Sequence, residues 1–281
     1  MGNRRFAYTS LMQLFRRYTT ASQANRWDRW RRIFDLLEDR QVVPIRDLME
    51  ATGAKSAAIE KDVETLCNRG LVKRTAKGGL TLEGFHAEKP LEERSAENQE
   101  AKARMGKVAA KRFIEEGMRV FVDGSTSVAA VLPHINHLRL HITTNSLSVI
   151  GELRRMGFAG DIVCVGGTYR SKSNTVIGSD AIRTIEHQPA DLTILGVEGI
   201  SSDMELMEAH PGEALIKQAM IRHTKRTLIL AMPHKFNDDS LLTFSTLKEV
   251  YALISTEFVD QAFAAKAKGL GVRLIGVNHS A

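Results

Sequence analysis

Long apolar runs, cysteine and N-terminal acid are all scarce in this 281-residue chain. No stretch approaches the roughly 18–20 uninterrupted apolar residues of a membrane-spanning helix, so the sequence does not read as a transmembrane protein. The two cysteines, Cys67 and Cys164, stand far apart without a CxxC pair or a histidine at ligand spacing. That pattern argues against a disulfide framework or a zinc site and fits a reducing cytoplasm. Cys164 is expected inside a buried strand. Acid is nearly missing from residues 1–32, which hold eight Arg against Asp28 alone, a net of +7. Residues 33–90 are close to neutral, and residues 91–281 balance at 22 charges of each sign. A polyanion would therefore feel the extreme N-terminus most.

That N-terminus lacks the long apolar core of a secretory signal, and Phe6 stands where a myristoylation signal has Ser or Thr. Its Arg-rich, Ser/Thr-rich composition is shared with transit peptides, while Leu11, Leu14, Phe15 and Tyr18 fall on one helical face. Residues 1–29 are read as a basic arm or dimer-packing helix, with targeting as the alternative.

What is present is ordinary for globular protein, 43% hydrophobic and 26% charged, at a length that suggests two domains. Trp30, Ile33, Phe34 and Leu37 make a helical stripe that a Val42-Val43-Pro44 break stops. Ile45, Leu48 and Met49 predict a short helix ending at Thr52-Gly53. Ser56 is placed as the cap of a third helix carrying Ile59, Val63 and Leu66, which Gly70 ends. Leu71–Thr75 and Leu80–Leu82 read as two strands around Ala76-Lys77-Gly78-Gly79. Residues 30–85 are thus expected to form a winged helix-turn-helix.

Residues 86–116 read as a charge-rich helical connector with a solvated face. From 117 to 281, short apolar strands near 119–123, 138–143, 161–166, 191–197, 226–231, 251–255 and 272–277 alternate with helices. The pattern predicts a mostly parallel, three-layer α/β domain with ligands beyond the carboxyl ends of its strands. Four strands run into small polar residues: Asp123-Gly124-Ser125-Thr126-Ser127, Thr143-Thr144-Asn145-Ser146, Gly166-Gly167-Thr168 and Gly196-Val197-Glu198-Gly199. Glycine lets backbone approach closely, and hydroxyls and amides suit an anion such as phosphate; the same residues also make ordinary turns and helix caps. Lys235, after the strand near 226–231, adds a cation to the ligand reading.

These motifs carry a resemblance. The Asp123–Ser127 loop, Thr144-Asn145-Ser146, Gly166-Gly167-Thr168-Tyr169-Arg170 with Gly178, Ala190-Asp191, Glu213-Ala214-Leu215-Ile216-Lys217 and Lys235-Phe236 resemble the DeoR-type bacterial transcription regulators, from about Trp30 to Ile275. The resemblance implies a cytoplasmic homo-oligomer, dimer or tetramer, that binds double-stranded operator DNA and represses carbohydrate catabolism genes under a phosphorylated sugar. No cofactor or metal is expected. It implies effector contacts at Asp123, Gly124, Ser125, Thr126, Ser127, Thr144, Asn145, Ser146, Gly166, Gly167, Glu198, Lys217 and Lys235. DNA contacts are implied at Lys55, Ser56, Ala57, Glu60, Lys61, Lys73, Arg74 and Lys77, with the connector 86–116 carrying the response between them.

Two departures stand out. The family's recognition helix usually has a Thr-Ile-Arg-Arg-Asp-Leu run; here it reads Ala58-Ile59-Glu60-Lys61-Asp62-Val63, an acid replacing one arginine. Lys77 replaces the usual wing histidine. The alternative function is a sugar-phosphate isomerase or transferase with a vestigial DNA module. Against it, Leu195 and Gly199 stand where further acids would be expected, and Glu208-Ala209-His210-Pro211-Gly212 contains no lysine. Glu198 is read as a hydroxyl acceptor, and His134, His137, His141, His210 and His234 as surface, loop or supporting residues.

Overall fold

The computed structural model describes residues 29–30, 32–34, 36–37, 40, 42–68, 72–82, 91–237, 242–258 and 260–277. The arm up to residue 28 and the helix stop at Gly70 lie outside these. The chain divides into two units, Met1–Ala87 and Glu88–Ala281.

In the first unit, helical residues between 29 and 37 bury Trp30, Ile33, Phe34 and Leu37. They share a core with Leu48 of α1 (Ile45–Thr52) and with Ile59, Val63 and Leu66 of α2 (Ser56–Asn68). The Lys55 carbonyl accepts from the amides of Ala58 and Ile59, so Ser56 is the first residue of α2 and not its cap. The expected break at Val43-Pro44 is a short strand, β1, completing a sheet of order β1-β3-β2 with β2 (Val72–Arg74) and β3 (Gly79–Leu82). Proline is tolerated there because β1 is an edge strand. A bidentate contact from Arg29 to the buried Asp62 of α2 (2.5 and 3.2 Å) and one from Arg32 to the Ala51 carbonyl (2.9 Å) fix the helices. Arg29 and Arg32, the N-terminal arginines among the described residues, thus have structural partners.

The second unit opens with α3 (Leu91–Ala96) and α4 (Gln99–Phe113). Its centre is a seven-stranded parallel sheet of order β15-β14-β12-β9-β4-β5-β6. The strands are β4 (Arg119–Val122), β5 (His141–Thr144), β6 (Asp161–Cys164), β9 (Leu192–Gly196), β12 (Thr227–Leu230), β14 (Ala252–Ser255) and β15 (Arg273–Gly276). All seven overlap the short apolar segments that the sequence predicts as strands. Val120, Val122, Ile142, Ile194, Leu228 and Ile254 join Met105, Ala109 and Phe113 of α4, Val128 of α5 (Thr126–Ala129) and Val149 and Leu153 of α6 (Leu147–Arg155) in one core. Residues of opposite pleat, such as Phe121, Leu195, Ile229 and Leu253, are also buried, which makes the sheet the middle of three layers. Helices α7 (Ser179–Glu186), α8 (Pro211–Arg222) and α9 (Gln261–Gly269) complete the unit.

The sequence reading missed the antiparallel additions, a hairpin of β7 (Thr168–Arg170) and β8 (Thr175–Ile177) and a sheet of β10 (Gly199–Ile200), β11 (Glu205–Glu208) and β13 (Leu242–Thr246). It also misplaced Cys164, which is exposed because β6 ends the sheet and is covered less than the central strands. Among the described residues no helix is long and apolar enough to cross a membrane.

Candidate functional site

Strands β4, β5 and β6 extend the sheet in one direction and β9, β12, β14 and β15 in the other, so the order reverses between β4 and β9. Such a reversal opens a crevice at the carboxyl ends of the strands. Asp123 spans it. Its buried carboxylate accepts from the amide of Ser125 at 2.8 Å and, across the seam, from that of Gly196 at 3.0 Å. A side chain at Gly124 would place its Cβ 2.5 Å from Thr175 Cγ2, so only glycine lets this loop lie against β8. Ser125 Oγ accepts from the Val128 amide and caps α5; Ser146 Oγ accepts from the Val149 amide and caps α6. Thr144 Oγ1 accepts from the amide of Ser146 at 3.1 Å. These residues therefore do the work of turns and caps, whatever else they bind.

Behind the loop lies a buried ionic cluster. Lys217 of α8 reaches the Gly196 carbonyl at 3.0 Å and Asp123 at 3.5 Å, and donates to Glu208 at the end of β11. Burial pushes the carboxyls of Asp123 and Glu208 up from their ordinary range, with Lys217 opposing it. Burial alone would depress Lys217; Glu208 and then Asp123 overcome it and raise the ammonium above its ordinary value. One ammonium thus serves two buried carboxylates. Sequence reasoning missed this role of Glu208: the lysine absent from the 208–212 segment comes from α8, nine residues on.

A third buried carboxylate, Glu213 in the first turn of α8, accepts from Ser173 Oγ at 2.8 Å, from Asn145 Nδ2 at 3.3 Å and from Thr175 Oγ1. Asn145 Nδ2 also meets the Val176 carbonyl, while its buried Oδ1 has no hydrogen-bond partner. His210 has a structural part: its Nδ1 accepts from the amides of Gly212 and Glu213 and caps α8. Among the described residues no group of acids, histidines and cysteines could hold a metal ion. His137, His141 and His234 are exposed.

At the outer side, Glu198 pairs with Lys235 at 2.6 Å and with Arg94 of α3 at 3.7 Å. Burial opposes ionisation of Glu198, yet Lys235 above all holds its carboxyl below the usual range. It is an ion-paired acid here, held by cations that the sequence reading did not assign to it. Lys102 of α4, only 7% exposed, donates to Thr126 Oγ1 at 3.0 Å and to the Arg94 carbonyl. The expected solvated connector therefore puts two cations into the site. The signal was available: Lys102, Met105, Ala109 and Phe113 recur at helical spacing, a lysine on the apolar stripe. Ser127 stands half-buried beside Thr126, while Gly166 and Gly167 are exposed at the entry to β7, Gly167 backing onto the Ile177 carbonyl.

In the first unit, Lys55, Ser56, Ala57 and Lys61 are exposed along α2, and Lys73, Arg74 and Lys77 along the wing. Ala57, Glu60, Lys61, Lys73 and Arg74 line one groove between α2 and β2.

Residues 97–257 match the family model of the DeoR C-terminal sensor domain. Among curated relatives, the chain is similar to the HTH-type transcriptional regulator FruR of Bacillus subtilis, 27% identical over 84% of this chain and 93% of the relative. It is similar to the glycerol-3-phosphate regulon repressor of Escherichia coli, 28% identical over 79% and 87%. The transcriptional repressor AccR of Agrobacterium fabrum is 29% identical over 81% and 88%. A seven-stranded sensor sheet with its polar crevice at the β4/β9 seam, preceded in the chain by a winged helix, thus meets a family match over more than half the sequence: the chain belongs to the DeoR family of transcription regulators.

Proposed function

We propose that this chain is a DNA-binding repressor of carbohydrate-metabolism genes, released from or set onto its operator by a phosphorylated sugar or polyol. The observation that supports the effector class best is the cation supply at the crevice mouth: Lys102, Lys235 and Arg94 stand about Glu198 and Thr126, three cations against the acids Glu198 and Glu97, beside a loop of hydroxyls and glycine. A dianionic phosphate answers that excess with charge-assisted hydrogen bonds. Asn145 Oδ1, buried and without a donor, suits a sugar hydroxyl, and the hydroxyls of Ser125, Thr126, Ser127 and Ser146 complete the polar wall. The regulon named for the Escherichia coli relative concerns a polyol phosphate, which fits the same chemistry.

DNA would meet α2 through Lys55, Ser56, Ala57 and Lys61, and the wing through Lys73, Arg74 and Lys77, in a homo-oligomer that repeats the contact on two half-sites. The test is a thermal-shift panel of phosphorylated sugars and polyols beside their unphosphorylated forms, since a ligand of the folded state raises stability by RT ln(1 + [L]/Kd). Any hit is then added to an operator-binding titration. Phosphorylated hits that move DNA affinity support the reading; equal shifts with and without phosphate, or a hit that leaves DNA affinity unmoved, refute it.

A specific observation favours a second reading. Asp123, Lys217 and Glu208 form an acid–lysine–acid constellation under the crevice, which proton transfer beside a carbonyl could use. Incubating the hit with the protein and following aldose–ketose interconversion separates sensor from enzyme.

A further inference from the structure

The second unit begins with a helix that has almost no apolar hold on it. None of the side chains of α3 is buried. Polar contacts help to hold it, among them the Arg94 guanidinium at Glu198 and the Arg94 carbonyl accepting from Lys102. Helix α4 is the opposite case. Its Gly106 lies so close to the chain after α5 that an added Cβ would stand 2.1 Å from the Ala130 carbonyl oxygen, a packing only glycine allows. Lys102, one turn before Gly106 on the same face, is therefore held rigidly beside Thr126.

The Lys102 ammonium has three protons and two protein acceptors, Thr126 Oγ1 and the Arg94 carbonyl. Burial lowers its proton affinity, Glu97 opposes this, and Arg94 and Lys235 add to it as neighbouring cations. A desolvated cation with an uncommitted N–H lies against a hydroxyl of the crevice loop, with Arg94 and Lys235 as further cations beside it and Glu97 as a neighbouring acid, and can take a bound anion. Nearby, Glu198 accepts from Lys235 at 2.6 Å while Arg94 stands at 3.7 Å, so Arg94 is the looser of its two partners.

We infer that the helices following the DNA-binding unit form one wall of the effector site: Lys102 binds the effector's phosphate together with the 124–127 loop, and Arg94 turns from Glu198 to that phosphate, carrying α3 with it. This rests on the phosphorylated-effector reading above and adds to it the element that senses occupancy. An effector can bias DNA binding only through unequal affinity for two arrangements. Here the two arrangements are Arg94 on Glu198 and Arg94 on the anion.

Inorganic phosphate is a sufficient probe. Amide hydrogen exchange is followed by mass spectrometry in segments covering 91–96 and 124–127, for the wild type and for Arg94→Gln, Lys102→Met and Lys102→Arg, with unliganded melting checked for each. Phosphate is expected to change exchange in both segments of the wild type. Arg94→Gln should keep the change at 124–127 and lose it at 91–96. Lys102→Met should weaken phosphate binding about tenfold or more, and Lys102→Arg should restore most of it, which a merely structural lysine would not require. Should Lys102→Met fail to fold, Arg94→Gln and Lys102→Arg still decide. Phosphate acting at 124–127 while 91–96 of the wild type stays unmoved overturns the inference and leaves the effector reading standing; phosphate acting on neither segment overturns both.

Discussion

Glu60 of α2 and Arg74 of β2 form an ion pair across the groove between recognition helix and wing, each side chain about half exposed. The acid that departs from the family's usual arginine is thus not an isolated negative charge. It neutralises a cation of the wing.

Replacing that acid should therefore release Arg74. Glu60→Gln is expected to bind operator DNA more tightly at low salt, with a log–log salt slope steeper by about 0.9, the value for one further neutralised phosphate. Titrations at several salt concentrations measure it. An unchanged slope with altered preference at one base pair would instead identify Glu60 as a direct reader of a base edge.

Lys217→Met removes the ammonium shared by Asp123 and Glu208. Leaving buried carboxylates without it should destabilise the sensor unit by roughly 3–5 kcal/mol at neutral pH. The sign with pH follows from the raised carboxyls of Asp123 and Glu208. A carboxyl raised on folding binds its proton more tightly in the native state, so its contribution is most favourable below the unfolded value and is lost as pH rises. The variant should accordingly recover part of its stability between pH 7.5 and 5.5. Denaturant midpoints at the two values provide the comparison, and a loss that grows on acidification would contradict this account.

Ser125→Asp separates fold from ligand. Aspartate caps helices as well as serine does, so the contact to the Val128 amide should survive and the unit should still fold, at a cost in stability from the neighbouring Asp123 carboxylate. A second carboxylate beside Asp123 should nonetheless abolish phosphate binding by like-charge repulsion. Calorimetry with a phosphorylated hit, next to a melting curve, tests both halves.

Deleting residues 1–25 takes away Arg4, Arg5, Arg16 and Arg17 but leaves Arg29 and Arg32, which hold the winged helix together. DNA binding should weaken, and its salt slope should flatten by about 0.9 for each DNA phosphate that the arm had neutralised. A slope that stays put would show that the arm works elsewhere, in targeting or dimer packing.

The seven-stranded sheet was legible because strands buried on both faces read as near-continuous apolar runs, as in Leu192–Leu195, broken only by Thr193, and Leu228–Leu230. Strands β7, β8, β10, β11 and β13 were not, since two to five half-polar residues carry no period of their own. The crevice loops were legible from their small polar residues. Glu208, Glu213 and Lys102 were not, because each is a charged residue whose burial depends on a partner far along the chain, and charge in sequence reads as surface. Cys164 failed for the converse reason: an apolar run says nothing about whether its strand ends the sheet.

The seam between β4 and β9 also fixes an order of events during synthesis. Asp123 needs the Gly196 amide, and Glu198, Glu208, Lys217 and Lys235 all follow it in the chain. The winged helix, complete by Ala87, therefore leaves the ribosome well before any effector site can exist. At about 5–20 residues per second that gap amounts to roughly 7–30 seconds, during which the growing chain has a reading head and no sensor.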